Sequence, residues 1–251
     1  MVGIPEDLRE GSGNPALDAA RLLRQRLELN RRFGWDVPIG AASQQREAAA
    51  EPAAGDDSEK EAALEPIRAE VADCTLCGLC EGRTNTVFGV GDALARLLFI
   101  GEGPGREEDL LGEPFVGRAG ELLDKIISAM GLEREQVYIA NIVKCRPPEN
   151  RNPTPEEMAA CLPYLKRQIE VLQPDVICAL GGVAAKALLS TDLSVGRLRG
   201  EFHNYAEIPV RVTYHPAYLL RSPHEKAKTW QDIKAVMEFL GLELPARSGG
   251  E

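Results

Sequence analysis

GEGPGREEDLLGEPFVGRAG, residues 101–120, follows the apolar run Arg96-Leu97-Leu98-Phe99-Ile100 and leads into an amphipathic segment that begins near Arg118. A strand that ends in a Gly- and Pro-rich loop and then feeds a helix is how an α/β sheet builds a site at its carboxyl edge. Gly101, Gly103 and Gly105 let backbone approach a ligand without a Cβ in the way, and Pro104 stiffens the loop. Glu102, Glu107, Glu108 and Asp109 supply carboxylates, and Phe115 adds an aromatic face. The stretch lacks the Lys-Ser/Thr of a phosphate-binding P-loop and the G-x-G-x-x-G of a dinucleotide site. Alone it also fits an acidic, Gly-rich surface loop.

The rest of the chain places it in a sheet. Short apolar runs at 96–101, 137–143, 175–181 and 209–214 alternate with helical patterns at 118–130, 155–173, 182–190 and about 224–240. This alternation predicts an α/β fold, a three-layer α/β/α sandwich around a central, mainly parallel four-stranded sheet. Thr154 followed by Pro155 and Glu156 marks a helix start. The four strands lead into GEGPG, KCRPPENR, GGVAAK and YHPAYLLR, and all four loops fall on the edge where open α/β sheets bind ligands.

At 251 residues, one domain plus an extension is expected. The predicted organisation is an N-terminal extension over 1–60, a main domain over 61–244 and a disordered tail over 245–251. In the extension, Ala16 to Phe33 carries Leu17, Leu22, Leu23, Leu27 and Leu29 among charges, an amphipathic helical pattern. Ile39 to Glu59 has a linker composition, and a helix from Glu59 to Ala72 introduces Cys74. Three roles stay open for the N-terminal helix: docking on the domain, binding a replication or repair protein, or remaining mobile. The net charge of −10 argues against broad coating of nucleic acid but allows a locally basic groove. The first residues have neither the basic nor the apolar region of a signal peptide, and no apolar run approaches the ~20 residues that span a bilayer. A soluble, cytoplasmic monomer with reduced thiols and no membrane association is expected.

Cys74-x-x-Cys77-x-x-Cys80 begins like a ferredoxin run, but no fourth Cys follows in register. Two close cysteines joined by two distant ones, Cys145 and Cys161, suit a four-thiolate 4Fe-4S cluster, with zinc as the rival. Cys178, in an apolar strand, reads as a buried free thiol, and Cys80 as either a spare thiol or an alternative ligand.

Asn141 is an amide inside an apolar strand and must find hydrogen-bond partners; an amide also reads the edge of a nucleobase. His215 opens HPAYLLR and is followed by Arg221, Lys226 and Lys228. Leu219 and Leu220, read as exposed beside these cations, are the kind of side chain that wedges into a base stack while the cations hold phosphate. Lys144, Arg146 and Arg151 form a second basic cluster, and Arg197 and Arg199 a third. Each also fits a solvated face, but their shared sheet edge favours a nucleic-acid groove.

GEGPGREED…PFVGRAG, then NIVKCRPPENR…CLPYL, then HPAYLLR, with a C-x-x-C upstream, resembles the family 4 uracil-DNA glycosylases, the iron–sulphur-containing bacterial and archaeal type. The resemblance runs from about Arg68 to Gly241. It implies base excision repair of deaminated cytosine: uracil is flipped out of double- or single-stranded DNA and its N-glycosidic bond is hydrolysed, leaving an abasic site, without lyase activity. It implies cluster ligands at Cys74, Cys77, Cys145 and Cys161, a structural cluster and no nucleotide cofactor. By the same resemblance Phe115 stacks on the flipped base, Asn141 hydrogen-bonds its edge, and Glu102 and Gly103 contact uracil and hold the attacking water. Glu108 stands against C5, where thymine carries its methyl, His215 donates to O2 and Leu219 is the wedge; Arg221, from its own place beside the leucines, is read as a DNA contact. Gly103 stands where better-known uracil glycosylases carry an Asp, so the inferred cleavage is dissociative. Asn150 is a weaker candidate for placing water. Two rival classes are an Fe–S redox protein and a relative that binds uracil-DNA without turnover. A covalently trapping relative needs a nucleophilic His in a basic loop; Arg197 to His203 holds a His without that basic run.

Overall fold

The structure is a computed structural model and describes residues 57–244. The predicted helix at Ala16 to Phe33, most of the linker and the C-terminal tail lie outside the described residues. The elements run α1 (Asp57–Ala72), β1 (Val90–Gly91), β2 (Leu97–Gly101), α2 (Arg106–Leu111), α3 (Arg118–Ala129), β3 (Tyr138–Asn141), α4 (Pro155–Leu172), β4 (Val176–Leu180), α5 (Gly182–Leu189), α6 (Val195–Leu198), β5 (Phe202–Tyr205), β6 (Ile208–Thr213), α7 (Pro216–Arg221) and α8 (Lys226–Leu240). The strand order is β1-β3-β2-β4-β6-β5. The four apolar runs are the parallel strands β3, β2, β4 and β6. The sheet nonetheless has six strands, because β1 and β5 add antiparallel edges. The expected four-stranded sheet is therefore corrected to a mixed one with a parallel centre.

Side chains of a strand alternate between faces, so an apolar run without alternation needs cover on both sides. Leu98 and Ile100 of β2 join the core with Leu64, Ile67 and Val71 of α1 and Leu162, Leu165 and Ile169 of α4. Leu97 and Phe99 face the other layer, where Leu123 and Ile127 of α3 meet Ile233, Val236 and Met237 of α8. These two clusters make the three-layer sandwich. Helix α4 starts at the expected Thr154, whose Oγ1 accepts from Glu157 N at 3.3 Å while Glu157 Oε2 accepts from Thr154 N at 2.7 Å.

Asp232 of α8 is fully buried and binds β6 to its neighbours. Its carboxylate accepts from Arg199 Nε, Arg211 Nη2 and Thr213 Oγ1, each at 3.0 Å. Two guanidiniums on one buried carboxylate leave a large uncompensated charge when it is removed. Asp232→Asn is expected to lower unfolding stability by about 3 kcal/mol, read from the urea midpoint at constant slope.

Candidate active site

Loops after β2, β3 and β6 enclose a cleft of about 390 Å³, with Glu102, Gly103, Glu108, Phe115, Asn141, Asn150 and His215 in its walls. Asn141 ends β3 in register with Gly101 of β2, so the amide emerges beside the glycine loop. It is 2% exposed, and its Oδ1 has no hydrogen-bond partner. Leaving a buried acceptor unsatisfied costs about 1–3 kcal/mol, which a ligand with a matching donor recovers. A Cβ on Gly101 would stand 2.4 Å from Asn141 Oδ1 and 2.6 Å from Phe115 Cζ, so this glycine makes the space in which amide and ring meet. Lys144 holds the strand end from behind: its buried Nζ donates to Asn141 O at 3.1 Å and to Phe88 O at 3.0 Å.

Phe115 is buried at φ 54°, a left-handed conformation that a side chain of this size rarely adopts. Glu108 clamps both flanks of that turn. Its Oε1 accepts from Val116 N at 3.1 Å and Gly117 N at 3.0 Å, and its Oε2 from Gly105 N at 3.0 Å. One carboxylate therefore ties the glycine loop to the aromatic wall.

His215 sits between β6 and α7, stacked on Phe115 with ring centroids 5.5 Å apart and planes at 28°. Its Nδ1 accepts from Ala217 N at 3.1 Å, capping α7. Burial, and then the Arg221 charge, push the imidazole down to about 4, against a smaller opposing effect of Glu108. The ring is therefore neutral at pH 7, and with Nδ1 accepting, its single proton is on Nε2. Gly181, at φ +91°, leaves room for the ring: a Cβ there would meet His215 Cβ at 2.9 Å. In the wall of the same cleft, burial pushes the Glu102 carboxyl up to about 6.

A second pocket lies between α1, the turn after Ala72 and α4. Cys74, Cys77, Cys80, Cys145 and Cys161 line it, together with Arg83, Lys144 and Tyr164. Arg83 Nη1 donates to Cys145 Sγ at 3.3 Å and Lys144 N to Cys161 Sγ at 3.2 Å, so hydrogen-bond donors already face sulfur. Burial raises the thiols of Cys77 and Cys145 and pushes Cys161 up to about 12. No group of three or more His, Cys, Asp or Glu side chains among the described residues converges as a ready-made site for a metal ion. The thiols instead line the walls of a void. Thiolates with nearby cationic and backbone donors are the donor set that soft iron–sulphur groups take.

Residues 88–234 match the family model described as the uracil DNA glycosylase superfamily. The chain belongs to the uracil-DNA glycosylase superfamily. Relatives named type-4 uracil-DNA glycosylase include one from Archaeoglobus fulgidus, 43% identical over 72% of this chain and 96% of the relative. One from Thermotoga maritima is 44% identical over 73% of this chain and 98% of the relative. A third, from Sulfurisphaera tokodaii, is 43% identical over 70% of this chain and 84% of the relative.

For a chain of this superfamily, the structure brings most of the predicted site residues together. Glu102, Gly103, Glu108, Phe115, Asn141, His215 and Arg221 share one cleft, as do Cys74, Cys77, Cys145 and Cys161 one pocket. Leu219 is corrected: it is 1% exposed, because α7, capped by His215, turns it inward, and Leu220, 37% exposed, faces out. Lys144 is likewise no surface cation, being 1% exposed. Arg199 is bound to Asp232 and to Lys228 O, and Arg151 is paired bidentately with Glu157 at 2.8 and 2.6 Å. His203 Nε2 lies 2.7 Å from Leu198 O and is not part of the cleft wall. Tyr218 and Asn152 line the cleft without having been singled out from sequence. An aromatic one residue from the paired leucines of HPAYLLR was the available signal for Tyr218.

Proposed function

We propose that the chain hydrolyses the N-glycosidic bond of uracil in double- and single-stranded DNA, releasing uracil and leaving an abasic site. The observation that carries this is the buried Asn141 amide with an unpartnered oxygen, in the wall of the cleft that the Phe115 ring and the neutral His215 also line. A pyrimidine slotted there stacks on Phe115, offers its N3–H to Asn141 Oδ1 and receives Nε2–H of His215 at its O2. As the bond to the sugar stretches, negative charge grows on O2, where that fixed donor stabilises it. The narrow floor at Gly101 and the Glu108-clamped turn limit the base that fits. Glu102, in the same cleft, holds the attacking water and meets the positive charge that develops on the sugar. Base extrusion costs a few kcal/mol and is easiest for a mispaired or unpaired base, so U·G and single strands are good substrates. Leu220, in place of Leu219, is the side chain for the vacated stack, with Arg221 on the adjoining phosphate.

The four thiols Cys74, Cys77, Cys145 and Cys161 fit a 4Fe-4S cluster. It would tie the turn after α1 to β3 and α4 as a structural crosslink. The name of the type-4 relatives is consistent with this, and the thiol-lined pocket supports it. No helix among the described residues is long and apolar enough to cross a membrane. The proposed setting is the cytoplasm, with the chain acting as a monomer.

The test is chromatographic detection of free uracil from U·G, U·A and single-stranded oligonucleotides, with the abasic strand recovered intact. Release of uracil without strand nicking is expected. Strand cleavage without added alkali would contradict the monofunctional assignment, and no release would contradict hydrolysis.

Glu102 gives this reaction a pH signature. With its carboxyl at about 6, the charged form falls away as pH drops through that value, and it is the charged form that orients water and meets the sugar cation. Single-turnover rate is expected to be flat above pH 7 and to fall about tenfold per unit below pH 6. In Glu102→Gln the plateau is lower and that acid limb is absent.

A further inference from the structure

A four-iron cluster takes four protein thiolates, yet five of the six cysteines line its pocket. The surplus thiol is Cys80. Cys77 caps the one-turn 3-10 helix Gly78–Glu81, and Cys80 lies within it, its N–H donating to Cys77 O at 3.2 Å. That bond closes the turn that carries both residues, and both side chains line the one pocket. Both are partly buried, whereas Cys145 and Cys161 are buried. The Arg83 guanidinium lines the same pocket, its Nη1 donating to Cys145 Sγ at 3.3 Å and to Cys74 O at 2.6 Å. A cation is therefore at hand in the pocket that Cys80 lines with the four assigned ligands.

We propose that Cys80 is a reserve ligand, able to take the place of Cys77 on the cluster. In the exchange one iron–sulphur bond forms to Cys80 and one breaks to Cys77, and the proton of the Cys80 thiol passes to the departing thiolate. No electron is transferred. This inference rests on the cluster assignment made above.

The test uses the full chain as wild type, Cys77→Ala, Cys80→Ala and the double variant. Each is reconstituted anaerobically and measured for iron and acid-labile sulphide per chain and for cluster absorbance. Alanine is chosen because serine oxygen can itself bind iron. Cys80→Ala and Cys77→Ala are expected to hold iron as the wild type does, and the double variant several-fold less. Cys77→Ala as iron-poor or as insoluble as the double variant would overturn the proposal, as would a double variant that keeps its iron. Alkylation mapped by mass spectrometry gives a second reading. Cys80 is expected to be modified in wild type without loss of iron and protected in Cys77→Ala until a chelator removes the metal. Modification of Cys80 in Cys77→Ala with iron retained would overturn the proposal. A wild type that binds zinc or no metal would instead refute the cluster assignment, and the reserve ligand with it.

Discussion

His215→Ala is expected to slow uracil release in single turnover by ~10²–10³-fold, the typical loss on removing one donor aimed at a developing oxyanion. Three features of the imidazole fit that proposed role. It is neutral at pH 7 because burial holds it down at about 4, its Nδ1 is occupied by Ala217 N–H, and its ring is fixed against Phe115. Removing the ring also removes the cap of α7, worth about 1 kcal/mol. His215→Ser restores a capping oxygen without Nε2–H and separates the two effects. It is expected to recover stability and remain as slow as the alanine variant. Stability carries its own sign. An unfolded histidine takes up its proton near 6.5, the folded one only near 4, so between these values the unfolded state binds more protons and wild type loses stability as pH falls. The serine variant lacks that contribution.

Gly101→Ala is expected to reduce release by ~10²-fold or more, since displacing reacting groups by about an ångström has that effect. The added methyl would lie 2.4 Å from Asn141 Oδ1 and 2.7 Å from Phe115 Cε2, so the amide, the ring or both must move out of the base slot. The backbone conformation at Gly101 does not demand glycine; its space does. A Gly101→Ala protein that folds, retains iron and binds uracil-DNA weakly is the expected outcome, measured as cleavage rate beside circular dichroism. A rate equal to wild type would place the base elsewhere.

The parallel centre of the sheet was legible because β2, β3 and β4 are largely apolar on both faces, which only covered strands are, while β6 shows one apolar face, Ile208, Val210 and Val212, and turns Arg211 and Thr213 to Asp232. The edges were not. β1 has two residues, and β5 is largely open to solvent, so neither forms an apolar run. Helices α2 and α7, six residues each, are too short to display a period. That is why Leu219 and Leu220 could not be told apart: which one faces inward depends on where His215 starts the helix. The cleft residues could be read because an amide within one strand, glycines after another and a His before Pro are costly without a purpose. The burial of Lys144 was hidden because one of the carbonyls that receives it, that of Phe88, lies 56 residues away. The pairing of Arg199 with Asp232 is likewise a tertiary fact, across 33 residues. A cationic residue in sequence does not reveal whether its charge faces DNA or a buried carboxylate.

The most direct measurement is strand scission after hot alkali on an end-labelled duplex with one uracil, beside a thymine duplex. Wild type, Asn141→Ala and His215→Ala are run together. Cleavage at uracil alone, lost or nearly lost in both variants, is the predicted result. Undiminished cleavage by Asn141→Ala, or no cleavage by iron-loaded wild type, would contradict a uracil pocket built on the Asn141 amide. A protein–DNA band that resists denaturation in the wild-type lane would replace hydrolysis with covalent capture.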